Sequence, residues 1–186
     1  TTNGYAKVPQ LFAQITQPDD VDFLIIPSVS SERRRYVPIG FATQDIISSN
    51  AVQIVPNATL YHFGVLTSNV HMAWMRAVCG RLKSDYRYSK EIVYNTFPWP
   101  KPTEEQKIKI EQTAQMILNA REQYSDCSLA DMYGEKMYLF PELVKAHQDN
   151  DRAVMQAYGF TKGSEAYKSE AACVAELMKL YQKMQG

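Results

Sequence analysis

Three cysteines and three histidines in 186 residues leave little from which to build a metal centre or a disulfide framework. Cys79, Cys127 and Cys173 stand alone, with no CxxC pairing and no neighbouring histidine, which argues for a reducing compartment and against zinc. His62, His71 and His147 show no ligand spacing, and a lone histidine on a helix is more often packed than catalytic. The eight glycines are scattered, so no glycine-rich loop cradles a phosphate or dinucleotide. Ser30 and Ser31 lie outside any GxSxG elbow. No apolar run approaches the roughly 20 residues that cross a bilayer. The opening TTNGYAKVPQLFAQ lacks the basic-then-apolar layout of a signal peptide, so a cytoplasmic protein without a membrane partner is expected. Pro18-Asp19 and Glu105-Gln106-Lys107 imitate a nuclease signature in composition only, because the second piece stands at a helix start far along the chain. No Asn-Pro-Pro-Tyr-like loop is present to hold a flipped base. The chain itself is expected to catalyse nothing and to hold no cofactor.

A zero net charge hides an asymmetry. Residues 28–90 carry eight Lys/Arg against three Asp/Glu, and the remainder carries twelve against seventeen. A basic segment of this kind fits a polyanion contact and fits a solvated basic surface equally well.

Two halves read differently, predicting an α+β protein with a strand-rich domain over 1–100 and a helical domain over 101–186. DFLIIP (22–27), YVPIGFA (36–42) and AVQIV (51–55) have the β-branched and aromatic content of strands. SNVHMAWMRAVCG (68–80) is the one helix predicted in this half. Ser68 can cap it, Val70, Trp74 and Val78 share a face that Met72, Met75 and Cys79 broaden, and Gly80 suits its end. Prolines at 98, 100 and 102 forbid helix and central strand, predicting a rigid strap clamped by Phe97 and Trp99. Thr103 with Gln106 caps the next helix, whose face carries Ile110, Ala114, Ile117 and Tyr124. A further helix runs from Phe140 to Gly159 with Pro141 in its first turn, and the last presents Val174, Leu177, Met178, Tyr181 and Met184.

Within the basic segment, Ser30, Ser31, Arg33, Arg34 and Arg35 form a natural phosphate-contacting set, Arg81 extends it, and a solubilising basic turn reads the same way. Taken as extended, Lys83, Asp85 and Arg87 share one face while Ser84 and Tyr86 point away. That face complements base pairs: a cation donates to guanine O6 and N7, and a carboxylate accepts from N4 of the paired cytosine. Exposed ion pairs worth under ~1 kcal/mol are the plainer alternative.

PSVSSERRRYVPIGF, FGVLTSNVHMAWMRAVCGRLKSDYRYS and IVYNTFPWP together closely resemble the target recognition region of MmeI-like DNA methyltransferases, single-chain type IIG restriction-modification enzymes. VPQLFAQITQP (8–18) is similar to that family's beginning, and SLADMYG with PELVKAHQDNDRAVMQAYGF is similar to its C-terminal helical segment. The resemblance implies a double-stranded DNA recognition module joined, in a longer polypeptide, to an S-adenosylmethionine-dependent adenine-N6 methyltransferase domain. It implies base-reading positions at Ser28, Asn50, Ala51, Lys83, Asp85 and Arg87, with Lys83 and Asp85 going with guanine. Ala51 with Arg87 reads a second position, a purine, and Ser28 with Asn50 a third. Two other readings are a protein-interaction module with an incidental basic surface, and an RNA-binding domain in which Tyr86, Tyr88 and Tyr94 stack unpaired bases.

Overall fold

The computed structural model describes residues 20–186; the VPQLFAQITQP segment and Pro18-Asp19 lie outside them. Six short strands form two three-stranded antiparallel sheets. β1 (Phe23–Pro27) is the centre of the first, flanked by β3 (Gly40–Ala42) and β4 (Val52–Pro56). β2 (Val29–Ser30), β6 (Asp85–Arg87) and β5 (Gly80–Leu82) make the second, in that order. Phe23, Leu24 and Ile26 of β1 are fully buried, as a central strand of β-branched and aromatic residues should be. The strand expected over 36–42 shrinks to its last three residues. Pro38 has no N–H to give a ladder, and Tyr36, Val37 and Ile39 enter the core as irregular chain instead.

Two helices follow in this half. α1 (Leu60–Leu66) was not expected from the sequence, because its short run LYHFGVL is apolar on nearly every side and has no 3.6-residue period to detect. α2 (Asn69–Val78) begins where Ser68 Oγ accepts from His71 N, and it buries Val70, Met72, Trp74 and Met75. Its C-cap is Cys79, so Gly80 opens β5 rather than ending the helix. A single wide turn over Lys90–Tyr94 leads into the proline strap, whose Phe97 is buried edge-on against the His71 ring at 4.5 Å. Tyr158 Oη donates to the Pro98 carbonyl at 2.7 Å and Tyr61 Oη to that of Pro100 at 3.4 Å, which clamps the strap from both halves.

α3 (Glu104–Glu122) carries the expected Thr103–Gln106 capping box and buries Ile110, Ala114 and Ile117. A short α4 (Leu129–Met132) precedes α5 (Pro141–Ala157), which starts on Pro141 and is terminated by Gly159 at φ +74°. α6 (Glu170–Gln185) closes the chain and buries Leu177. At Gly64 of α1 an added Cβ would lie 2.7 Å from Ile110 Cγ2 and 3.1 Å from Asn150 Oδ1, so the glycine permits the close approach of α1 to α3 and α5.

One hydrophobic core runs through both halves, and a buried polar web stitches across it. Asp151 of α5 accepts from Tyr36 Oη at 2.6 Å and from the Asn69 N–H, in the first turn of α2, at 2.7 Å. Tyr36 stacks on His147 at 4.1 Å, and His147 Nε2 meets Tyr133 Oη at 2.7 Å. Arg121 donates from Nε and Nη2 to Tyr133 Oη and from Nη1 to the Ile39 carbonyl, while Asn150 Nδ2 donates to the Gly64 carbonyl. Burial raises the Asp151 carboxyl to about 6, against the pull of the Tyr36 and Asn69 hydrogen bonds. Burial lowers His71 to about 3 and His147 well below the ordinary imidazole range, Arg121 adding to the latter.

These shifts act on stability with opposite signs. The depressed histidines contribute stability that is present above pH about 6.5 and lost on acidification. The raised Asp151 contributes stability present below pH about 4 and lost as pH rises through about 6. Between about pH 4 and 6 unfolding therefore takes up two protons on the histidines and releases one from Asp151, so these groups make stability fall by about 1.4 kcal/mol per unit of acidification. Asp151→Asn removes the opposing contribution, and the slope from these sites should steepen to about twice that value. Urea unfolding of both proteins at half-unit steps across this window measures it; a variant slope equal to or shallower than the original contradicts the assignment.

Candidate nucleic-acid interface

The candidate base-reading residues come from three separate stretches, and the fold brings them to one surface. Ser28 is the joint between the two sheets: its N–H donates to the Ala51 carbonyl at 2.9 Å, and its own carbonyl accepts from Tyr88 N at 2.9 Å. Gln53 Nε2 donates to Ser28 Oγ at 3.0 Å, which orients the hydroxyl. The turn holding Asn50 and Ala51, the β1–β2 joint and the end of β6 thus lie side by side, with Asn50 and Ala51 exposed.

Lys83, Asp85 and Arg87 do not form one extended run, which corrects the expectation. β5 and β6 are the arms of a tight hairpin, Leu82 opposite Asp85 and Gly80 opposite Arg87, with Lys83 and Ser84 as its two-residue loop. Lys83 takes φ +57°, the left-handed conformation that the first loop position of this turn class demands and that glycine or asparagine usually supplies. Asp85 and Arg87 do share a face two residues apart, with Tyr86 buried on the other. Lys83 projects from the exposed tip beside them. Gly80 leaves room across from Arg87: an added Cβ would sit 3.9 Å from the arginine Cβ.

The expected phosphate contacts are placed less uniformly. Residues 31–35 turn rather than extend, Arg34 N donating to the Ser31 carbonyl. Arg33 pairs with Glu135 at 2.7 Å, both side chains largely exposed, and the pairing raises its already high pKa. Arg34 is half-buried and makes no ion pair among the described residues, and Arg35 packs its guanidinium over Tyr36 at 5.3 Å. One placement runs against the sequence reading. Ser30 is only 3% exposed with Oγ unpartnered, because β2 turns that side chain inward opposite Tyr86. Arg81 stays exposed, stacked on Tyr86 at 4.1 Å, donating to the Ser84 carbonyl at 2.8 Å and lying 3.8 Å from Glu32. Its guanidinium therefore staples the hairpin. Ser31, Glu32, Arg33, Arg34, Ser84, Asp85 and Glu135 line a cleft of about 360 Å³ beside the ribbon.

The stacking platform required by the RNA reading is not formed. Tyr86 and Tyr88 are buried, Tyr88 Oη meeting His71 Nε2 at 3.0 Å, and Tyr94 is half-buried against Trp99. Glu135 escaped sequence reasoning, since it lies 102 residues from the arginine it pairs with and no local pattern marks it. Among the described residues no three His, Cys, Asp or Glu side chains gather as a metal site, and no helix is long and apolar enough to cross a membrane.

Comparison with known proteins adds four findings. Residues 1–101 match the family model described as the MmeI target recognition domain, and residues 102–186 match that of the MmeI C-terminal domain. The chain is 38% identical over 183 residues to DNA methyltransferase A of Bacillus subtilis (strain 168), a match covering 98% of this chain and 20% of that protein. It superposes with a TM-score of 0.89 and 47% identity on a structure of the Type IIL restriction-modification enzyme MmeI in complex with DNA, covering 99% of this chain and 24% of the other. The chain thus spans about a fifth to a quarter of the length of these relatives.

The hairpin loop generates a prediction that separates fold from contact. Left-handed backbone costs a non-glycine residue about 1–2 kcal/mol, so Lys83→Gly should leave the melting temperature unchanged or raise it while deleting the amine. A clear drop in melting temperature would mean that the Lys83 side chain itself holds the hairpin.

Proposed function

Because the chain belongs to the MmeI family, carrying its target recognition and C-terminal domains, we propose that it is the double-stranded DNA recognition module of a larger site-specific adenine DNA methyltransferase of the restriction-modification type. The observation that carries this reading is the β5–β6 ribbon, which holds Asp85 and Arg87 on one exposed face and Lys83 at its tip. A two-stranded ribbon fits the major groove, where every base pair presents a distinct set of donors and acceptors. Lys83 donates there to guanine O6 and N7 while Asp85 accepts from N4 of the paired cytosine, so one G·C pair is read from both sides. Arg87 with Ala51 reads a second position, a purine, and Ser28 with Asn50 a third. The 2.9 Å bond between Ser28 N and the Ala51 carbonyl supports treating these as one contiguous surface. Ser31 and Arg33 to Arg35 supply affinity through phosphates and fix the register without reading sequence.

Methyl transfer belongs to the rest of such a polypeptide. Scattered glycines and the absence of a glycine-rich strand-to-helix turn do not suit this chain to S-adenosylmethionine, so no chemical step is derived from its residues. Its contribution is to dock the duplex in one register, and a methyltransferase domain of the same polypeptide is its second partner.

Two outcomes test the assignment. Sequences selected from a randomised duplex library should show a fixed guanine, and Lys83→Glu combined with Asp85→Arg should change the base preferred in that column while others persist. Equal weakening of every sequence would reduce the pair to phosphate contacts. Arg34→Ala, by contrast, should weaken all duplexes alike and lower the slope of log affinity against log salt by about one; a change in base preference there would move Arg34 onto the reading face.

A further inference from the structure

The outer face of the ribbon carries more than its three charged residues. Directly opposed residues of an antiparallel pair share a face, so Leu82 lies beside Asp85, and Val29 of β2 lies beside Arg87. Both aliphatic side chains are exposed, Leu82 at 52% and Val29 at 39%, while the inward row of Ser30, Tyr86 and Arg81 is packed or stacked. A lone exposed aliphatic residue needs no explanation. Here, however, each faces across the ladder from one of the two charged strand residues, and no other side chain of the three strands stands on that face except those charges. The charged neighbours break the two into separate points, unlike the contiguous apolar patch that a protein partner covers.

The major-groove edge of unmodified DNA has one apolar feature at base level, the C5-methyl group of thymine. We propose that Leu82 and Val29 are specificity-determining residues that read pyrimidine C5-methyl groups at steps next to those read by Asp85 and Arg87. The inference rests on the DNA-recognition reading above and extends it from hydrogen-bonding residues to apolar ones. The register supports it: Gly80, opposite Arg87 on the third strand, adds no side chain to that face, so Val29 is the one aliphatic neighbour of Arg87 across the ladder.

The experiment uses the 186-residue chain and the duplexes it selects from a randomised library. Thymine should be enriched in a column adjoining the guanine column. Replacing that thymine by deoxyuridine removes only the methyl group, and affinity should fall about fourfold, as expected for one methyl group leaving an apolar contact. Leu82→Ala should bind the thymine and deoxyuridine duplexes equally while keeping its preference for guanine. Val29→Ala should do the same at the column adjoining the one read by Arg87. Placing 5-methylcytosine for cytosine in the sensitive column isolates the methyl group: a gain equal to that of thymine assigns the whole contact to the methyl, and no gain shows that thymine is preferred for another of its groups and overturns the proposal. Indifference of the unmodified chain to deoxyuridine at every enriched thymine, or the absence of an enriched thymine, overturns the proposal while leaving the DNA reading intact. A library that shows no enriched column at all overturns the DNA reading itself. The deoxyuridine comparison requires no variant, so it does not depend on how Leu82→Ala folds.

Discussion

The carboxylate of Asp151 is the constraint on which the rest of the molecule depends. It sits in the second half of the chain, almost fully buried, and among the described residues its hydrogen bonds come from groups of the first: the Tyr36 hydroxyl and a backbone N–H at the start of α2. A buried acid without partners would be strongly destabilising, so strand half and helical half must dock in one relative position. The helix start adds a favourable dipole to the hydrogen bond. Arg121, reaching from α3 to the Ile39 carbonyl, repeats the arrangement with opposite charge on the other side of the His147 ring. The two halves consequently behave as one support, and the ribbon projects from a base that cannot swivel beneath it.

That support separates folding from reading. Tyr86 and Tyr88 point inward from β6 and its extension, His71 packs on Tyr88 with Phe97 edge-on behind it, and Arg81 caps Tyr86. The residues that alternate with them, Asp85 and Arg87, stand outside the core and are held in place by the tyrosines of the other face. A surface built this way tolerates exchange of its outward side chains with small effects on stability, because alternate residues of a strand answer to different environments. Ser28 extends the same logic across the joint: its backbone serves both sheets, while its hydroxyl is held from outside the ladder by Gln53.

What could be read in the sequence follows from where local rules suffice. The caps at Ser68 and Thr103, Pro141 at a helix start, Gly159 at φ +74° and the clamped proline strap each obey a rule that spans a few residues, and each stands as expected. His71 is packed, as a lone histidine on a helix usually is. The failures are equally specific. The hairpin at Lys83-Ser84 lacks the glycine or asparagine that marks such turns, so its arms read as one strand and Leu82 went unnoticed beside Asp85. Ser30 was assigned to the surface by its polarity, but its strand register decides otherwise. α1 had too few polar residues to show a period. The candidate recognition residues were legible by resemblance, whereas their assembly around Ser28 depends on contacts between distant strands that no local pattern encodes.

A carboxylate on the surface proposed to meet a polyanion also needs local compensation, and the cleft beside the ribbon provides it. Asp85 shares that cleft with Arg33 and Arg34, and the field of Asp85 is felt at the Arg33 guanidinium. Arg33 in turn is held by Glu135, contributed by the helical half. Exposed pairs of this kind add little to stability, so the value of the Arg33–Glu135 contact lies in where it keeps a positive charge. Kept near Asp85, the Arg33 cation offsets part of the repulsion between that carboxylate and a phosphate backbone. The helical segment is then more than a brace, because the electrostatic setting of the proposed reading face includes a residue it supplies.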